Sequence, residues 1–123
     1  MRNQTDWIRN NRRSKYGNHK IELDGILFDS KKEARRYAEL KLLEKAGEIK
    51  DLELQKPFII QPSFFDKNGN RQTAIKYIAD FVYVDKEGNQ IVEDVKSPAT
   101  RKDRVYRIKK KMMAYNGYEI TEV

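Results

Sequence analysis

The strongest constraint on this chain is a predicted β-hairpin, Tyr77–Lys96, in which acidic residues lie within apolar strands. A five-residue loop, 85–89, separates the two strands, and this loop length sets the register of their pairing. The predicted cross-strand pairs are Val84 with Gln90, Val82 with Val92, and Asp80 with Asp94. A shift of one residue would instead oppose Asp80 to Glu93 or Val95, so the prediction depends on this register.

Side-chain alternation predicts which residues of the hairpin share a face of the sheet. That face carries Ile78, Asp80, Val82 and Val84 from the first strand, and Val92, Asp94 and Lys96 from the second. Two like charges directly opposite each other are destabilising, and apolar neighbours increase the penalty. A divalent cation that uses both carboxylates as ligands removes the conflict. The nearby Lys96 would then steady an attacking water or a developing phosphate charge.

The motif by itself also has an ordinary explanation, because acidic residues and lysines are common in this chain. Four acid-x-Lys triplets occur, namely Asp29–Lys31, Glu39–Lys41, Glu48–Lys50 and Asp94–Lys96. The last is the one that falls in a predicted buried strand with a second carboxylate opposite. In the ordinary explanation, Lys96 is a lysine at the rim of the sheet that pairs with Asp80.

The charge distribution indicates a polyanionic partner. Lys and Arg number 26 against 19 acidic residues, which gives a net charge of +7. Residues 1–20 carry a net +5 and residues 97–123 a net +4, so the middle of the chain is about −2. Basic ends around an acidic centre are typical of nucleic-acid-binding proteins, and an evenly solvated basic surface is the alternative.

Several classes of protein are excluded by composition. No apolar run approaches the ~20 residues of a membrane span, and the first residues lack the apolar segment of a signal peptide. We therefore expect a cytoplasmic protein with no membrane partner. The chain has no cysteine and one histidine, His19, which excludes thiolate zinc sites and histidine-rich metal sites. Any metal must be held by carboxylates, carbonyls and water, which favours Mg²⁺ or Mn²⁺.

The pattern along the chain predicts a basic arm over residues 1–18, able to order on a partner, and a single domain over 19–123. In chain order, the predicted elements begin with a hairpin about Asp24-Gly25, a helix from Ser30 to Ala46-Gly47, and a strand containing Pro57 that lies at an edge of the sheet or carries a bend. They continue with the hairpin Tyr77–Lys96, a helix carrying Val105, Ile108, Met112 and Tyr115, and a strand over Tyr118–Val123. This order predicts an α+β or α/β fold with a mixed sheet that carries helices.

Three motifs carry a resemblance to a known superfamily. Ile78-Ala79-Asp80-Phe81 and Ile91-Val92-Glu93-Asp94-Val95-Lys96 resemble the core of the PD-(D/E)XK nucleases, and Phe28-Asp29-Ser30-Lys31-Lys32-Glu33-Ala34 resembles their helical acidic motif. From about Tyr16 onward, the chain also resembles a compact phage-borne family of unassigned function related to phage Holliday-junction resolvases and other small endonucleases.

The resemblance implies a restriction-endonuclease-like sheet flanked by helices and Mg²⁺- or Mn²⁺-dependent hydrolysis of DNA phosphodiesters. It implies that Asp80 and Asp94 are metal ligands, that Lys96 is the catalytic lysine, and that Glu33 is a supporting acid. Ala79 replaces the proline of the name-giving motif. Glu93 also precedes the lysine, and it is the alternative ligand if a bulge intervenes. Glu33 is equally placed to complete a capping box with Ser30.

The predicted contacts with nucleic acid come from the basic ends. They are Arg12, Arg13, Lys15, Arg101, Lys102, Arg104, Lys109 and Lys110. Gln55 resembles an active-site glutamine of some relatives, and the alternative is an edge-strand amide with its hydrogen bonds satisfied.

The resemblance to resolvases implies branched DNA as substrate, a homodimer to make two cuts, and a phage-encoded protein acting in the bacterial host. The main alternative is a catalytically inactive nuclease scaffold that binds DNA or inhibits a host protein. A small RNA-associated basic protein is a third hypothesis.

Overall fold

The computed structural model describes residues 20–123. Its contacts divide the chain into two compact units, with the boundary between Leu42 and Leu43. The bounds of the elements are β1 Ile21–Leu23, β2 Ile26–Phe28, α1 Lys31–Lys45, β3 Lys50–Gln61, β4 Phe64–Phe65, β5 Arg71–Gln72, β6 Ile75–Val84, β7 Gln90–Asp94, α2 Pro98–Arg101, α3 Arg104–Tyr115 and β8 Ile120–Glu122. The predicted single domain over 19–123 stays a prediction, and the arm over 1–18 lies outside the described residues.

In the first unit, the predicted hairpin and the start of the predicted helix are confirmed. Asp24 and Gly25 connect β1 to β2 with φ angles of 54° and 76°, the left-handed conformations that a two-residue hairpin loop favours. The Oγ of Ser30 accepts a hydrogen bond from the backbone N–H of Glu33 at 3.1 Å, which caps α1. Gly47, with a φ of 79°, follows the end of this helix as the sequence predicts.

The second unit contains a four-stranded mixed sheet in the order β3-β6-β7-β8. The β3–β6 and β6–β7 pairs are antiparallel, whereas β7 and β8 are parallel. The predicted hairpin register is confirmed, because Val84 pairs with Gln90 and Val82 with Val92. The predicted edge position of the strand containing Pro57 is also confirmed, since β3 lies at one end of this sheet.

The predicted face of β6 is wrong at Ile78. The apolar core takes Tyr77 and Ala79 and then Val82 from this strand, while Ile78 is 54% exposed. The alternation therefore changes phase between Ala79 and Val82. The neighbouring strand is irregular at the same level, because Gln55 of β3 has a φ of 52°, outside the extended range.

The helix α3 packs one face against this sheet through Tyr106 and Met113. Their partners in the core are Phe58, Ile60, Tyr77, Ala79, Val82, Val92 and Ile120. The apolar spacing in the sequence correctly predicts a helix here, but most of the residues that define it are not the buried ones. Val105, Ile108 and Tyr115 are 59%, 54% and 91% exposed.

The predicted fold class is confirmed. The described residues form a mixed α+β structure with three helices and an open sheet that contains both parallel and antiparallel neighbours. Within this part of the chain, none of the helices is both long and apolar enough to span a bilayer.

Candidate functional site

The predicted carboxylate pair lies where the β6–β7 ladder ends. Phe81 and Glu93 form the last backbone pair, and Asp80 and Asp94 occupy the next position. The backbone N–H of Asp80 donates to Oδ1 of Asp94 at 3.2 Å, and the backbone N–H of Val95 donates to Oδ2 of Asp80 at 2.9 Å. Each carboxylate thus replaces a backbone acceptor for the opposite strand, and these two hydrogen bonds hold the pair together.

Asp94 has an unusual environment for a carboxylate. It is 2% exposed, and its Oδ2 accepts no hydrogen bond from any residue in 20–123. The Nζ of Lys96 is the nearby cation, 3.5 Å from this oxygen. Burial raises the pKa of Asp94 above its ordinary value, and the charge of Lys96 partly opposes this shift. A buried oxygen without a hydrogen-bond partner carries a desolvation penalty, which a ligand at this position would relieve.

Gln55 is brought to the same site from the edge strand. It lies opposite Asp80 in the β3–β6 register, and its Nε2 donates to Oδ1 of Asp80 at 3.3 Å. The left-handed backbone of Gln55 falls at this contact. Because strained backbone concentrates at functional positions, this conformation favours the interpretation of Gln55 as a site residue over that of an ordinary strand amide. Its role in chemistry stays a prediction.

Lys96 extends beyond the end of β7 and connects the carboxylate pair to helix α3. Its Nζ lies 4.3 Å from the centroid of the Tyr106 ring, within the range of a cation–π contact. The hydroxyl of Tyr106 donates to Oε2 of Glu122 at 2.6 Å. Burial raises the pKa of Tyr106, whereas the hydrogen bond from Tyr106 lowers the pKa of Glu122. The ring of Tyr106 therefore contacts a cation, Lys96, while its hydroxyl contacts an anion, Glu122.

Sequence reasoning missed Glu122. In the parallel β7–β8 pair, Asp94 lies opposite Glu122, so acidic residues occupy neighbouring positions on β6, β7 and β8. The sequence predicts a strand at this end of the chain, but nothing local in it indicates which strand it joins or in which register. Parallel neighbours are connected through a crossover, and here α2 and α3 form that connection.

The buried position of the neighbouring acid Glu93 is explained by a contact within the fold. It pairs with Phe81 in the ladder and accepts a hydrogen bond from the hydroxyl of Tyr83. The β6–β7 register runs from Val84 to Phe81 without a bulge. Glu93 is buried with 1% of its surface exposed, and alternation directs its side chain away from the face that holds Asp94.

Glu33 lies in the first turn of α1, where its backbone N–H bonds the capping hydroxyl of Ser30. It is 7% exposed. Across the described residues, no group of three or more histidine or acidic side chains comes together in a form suited to a metal ion. The proposed part of Glu33 in metal binding therefore stays a prediction.

Five of the predicted nucleic-acid contacts lie on or beside α2 and α3. Arg101 and Lys110 approach Glu122 at 3.6 Å and 3.1 Å. Lys102 and Arg104 are exposed, and Lys109 is half-buried. The remaining three, Arg12, Arg13 and Lys15, lie outside the described residues.

The donor set at the end of β7 fits a hard divalent cation. Asp80 and Asp94 supply carboxylate oxygens from adjacent strands, and hydrogen bonds from the opposite backbone hold both side chains. The buried Oδ2 of Asp94 has one polar neighbour among the described residues, the ammonium of Lys96 at 3.5 Å. Oxygen ligands of this kind are those that Mg²⁺ and Mn²⁺ prefer.

Comparison with known families gives one match. Residues 13–122 match the model of the family described as protein of unknown function DUF1064, and the chain therefore belongs to that family. No curated protein and no solved structure matches the chain.

Proposed function

We propose that this chain is a Mg²⁺- or Mn²⁺-dependent DNA endonuclease of the PD-(D/E)XK type. One observation carries the proposal: Asp94 is buried opposite Asp80, and its Oδ2 has the ammonium of Lys96, at 3.5 Å, as its one polar neighbour among the described residues. A chain gains no stability from such an arrangement by itself, because burying an incompletely paired carboxylate is unfavourable. Binding of a cation and a phosphate would offset this unfavourable burial.

In this proposal, Asp80 and Asp94 would hold the metal, and the resemblance implies a supporting role for Glu33. When bound, the ion would supply a Lewis acid for the phosphodiester and for a water nucleophile. Gln55 restrains Asp80 through its 3.3 Å hydrogen bond. Lys96 supplies a positive charge to the attacking water or to the developing phosphate charge, and the ring of Tyr106 helps to hold its ammonium group in place.

The proposed substrate is duplex or branched DNA in the cytoplasm of a bacterial host, with a phage or prophage as the source of the gene. The basic residues of the arm and of α2 and α3 would neutralise backbone phosphates. The proposal that the substrate is branched DNA rests on the resemblance to resolvases. A symmetric four-way junction needs two cuts, and a homodimer supplies two sites related by a twofold axis.

The test is incubation of the full chain with linear, flap and four-way-junction DNA in Mg²⁺, Mn²⁺ or EDTA. We expect cleavage in either metal and none in EDTA, with the four-way junction cut fastest. An Asp85→Asn variant, altered in the β6–β7 loop, is the matched control and should cleave like the unmodified chain. Absence of cleavage in both metals, with the protein folded and bound to DNA, would contradict the proposal.

One observation favours a second candidate function. Because no three acidic side chains in the described part of the chain are arranged so that they could hold a metal ion, the scaffold also suits a catalytically inactive protein that binds DNA or inhibits a host protein. This candidate predicts salt-sensitive DNA binding and no cleavage at any metal concentration. Calorimetric titration of Mg²⁺ separates the two, because the nuclease should bind the ion and lose this binding on Asp94→Asn.

A further inference from the structure

A cleft of about 370 Å³ lies beside the candidate site, and none of the residues assigned to metal binding lines it. Its polar lining consists of Arg101, Tyr106, Arg107, Lys110, Lys111 and Glu122. Its volume is near the lower end of the range for small-ligand sites, roughly 300–1,000 Å³. This is room for one compact anionic group and the atoms attached to it.

The charge of the cleft is strongly positive. Four cations line it against one carboxylate, Glu122, which already interacts with Arg101, Lys110 and the hydroxyl of Tyr106. Arg107 and Lys111 form no ion pair with any residue in the described part of the chain. The cleft thus concentrates positive charge that residues 20–123 do not neutralise, which favours an anionic ligand.

Glu122 organises this cleft for an anion. Its two oxygens contact Arg101 through Nε at 3.6 Å and Lys110 through Nζ at 3.1 Å. A guanidinium has five N–H donors and an ammonium has three, so each cation keeps donors for a second acceptor. Side chains that are already held in place lose less conformational entropy when a ligand binds.

Tyr106 connects the cleft to the candidate site. Its hydroxyl lies in the cleft on Glu122, and its ring lies under the ammonium of Lys96, which contacts Asp94. The contacts of Tyr106 and Lys96 therefore join the cleft to the carboxylate pair within the second unit, so a polymer with repeated negative charges suits both places. A phosphodiester backbone is a polymer of this kind.

We propose that the cleft beside Tyr106 binds a backbone phosphate of the nucleic-acid substrate, separate from the phosphate that is cleaved. The identity of the substrate rests on the proposed nuclease function, but the phosphate chemistry of the cleft rests on the cations themselves. Free inorganic phosphate has the same chemistry, and the experiment has an arm for each source.

The first arm measures DNA affinity against salt concentration in EDTA, where cleavage does not occur. The double variant Arg107→Gln, Lys111→Gln removes the two cations that form no ion pair with any described residue, and it leaves the interactions of Glu122 intact. The matched control Lys67→Gln, Arg71→Gln removes two exposed cations on the β4–β5 hairpin. We expect the cleft variant to lower the slope of log affinity against log salt by about 0.9 for each duplex phosphate that the protein no longer neutralises. The control should leave the slope unchanged.

An unchanged slope in the cleft variant, or an equal decrease in the control, would overturn the assignment of a DNA phosphate to this cleft. The second arm titrates inorganic phosphate and follows the backbone N–H signals of α3 by NMR. Saturable shifts that disappear in the cleft variant, together with the lowered slope, support the proposal. Such shifts with an unchanged slope would assign the cleft to free phosphate instead. Because both arms exclude metal, a failure of the nuclease function would appear only as missing cleavage in Mg²⁺ and leave these results interpretable.

Discussion

Two turns of this protein share the pattern Asp-Lys-x-Gly-Asn, and their aspartates contrast with the aspartate that ends β7. In the turns over 66–70 and 85–89, the backbone N–H of the final asparagine donates to the Oδ1 of the aspartate, at 2.9 Å and 2.8 Å. The first backbone N–H of each turn also donates to the carbonyl of the last residue at 2.9 Å. The same five-residue pattern gives the same hydrogen bonds twice.

The pKa values of Asp66 and Asp94 are shifted in opposite directions. The backbone hydrogen bond from Asn70 is the main cause that lowers the pKa of Asp66, on the exposed surface. Burial is the main cause that raises the pKa of Asp94, at the end of β7. The turn aspartates accept their hydrogen bonds on the exposed surface, whereas the Oδ2 of Asp94 is buried with the ammonium of Lys96 as its one polar neighbour among the described residues. The exposed turn aspartate and the buried strand-end aspartate therefore differ in burial, in hydrogen bonding and in the direction of their pKa shifts.

The strongest change should be in cleavage, on removal of the buried charge. Asp94→Asn should reduce DNA cleavage by on the order of 100-fold or more, the scale for removal of a group that stabilises the transition state. The variant should remain folded, because an amide oxygen can still accept the hydrogen bond from Asp80. Glu93→Gln is the matched control, since it removes an adjacent buried charge that Tyr83 already contacts. Equal decreases in both variants, measured as single-turnover rates in Mg²⁺, would show that the two acids are not separated by face.

Lys96 allows the roles within the site to be separated. Lys96→Ala should leave Mg²⁺ binding in place, as measured by calorimetry, and should lower turnover on the order of 100-fold. The reason is that the ammonium acts on the water or the phosphate rather than as a ligand of the ion. Weakened Mg²⁺ affinity with normal cleavage would reverse this assignment.

Substitution of a turn aspartate should lower stability and leave cleavage unchanged. Asp85→Ala removes the acceptor for the backbone N–H of Asn89 and should lower the free energy of unfolding by about 1 kcal/mol. Cleavage by the folded fraction should be unchanged. Urea unfolding gives the first quantity and single-turnover cleavage gives the second. A cleavage defect at a matched folded fraction would show that this turn also serves the site.

A smaller change is expected in the pH-dependent stability of the metal-free protein. Burial raises the folded-state pKa of Asp94 above its ordinary value, so the folded protein favours the protonated form of this carboxyl. The free energy of unfolding that this preference contributes is lost as pH rises through the folded-state pKa. Asp94→Asn removes this loss, so in EDTA it should be more stable at neutral pH by about 0.5–1 kcal/mol. The advantage should vanish in acid, below the ordinary carboxyl pKa. An Asn variant that is less stable than the unmodified chain at pH 7 would contradict the unfavourable burial of this charge.

Several features of the candidate site follow from sequence reasoning because they depend on short stretches of chain. The loop over 85–89 determines the β6–β7 register, and that register brings Asp80 and Asp94 together. The alternation within β7 separates Glu93 from Asp94. The same alternation fails when it is extended along β6 to Ile78, which is exposed while Tyr77 and Ala79 enter the core.

Local signals in the amino-acid sequence are sufficient for the turns that begin at Asp66 and Asp85, the helix capped by Ser30, and the hairpin that carries the two site aspartates. Long-range packing was needed to establish that α3 buries Tyr106 and Met113 rather than the apolar series at Val105, Ile108 and Tyr115. It was also needed to establish that β8 lies parallel to β7 and places Glu122 beside Asp94. The physical reason is that turns and caps are stabilised by hydrogen bonds between near neighbours in sequence, whereas strand order and the buried face of a helix depend on which distant surfaces pack together.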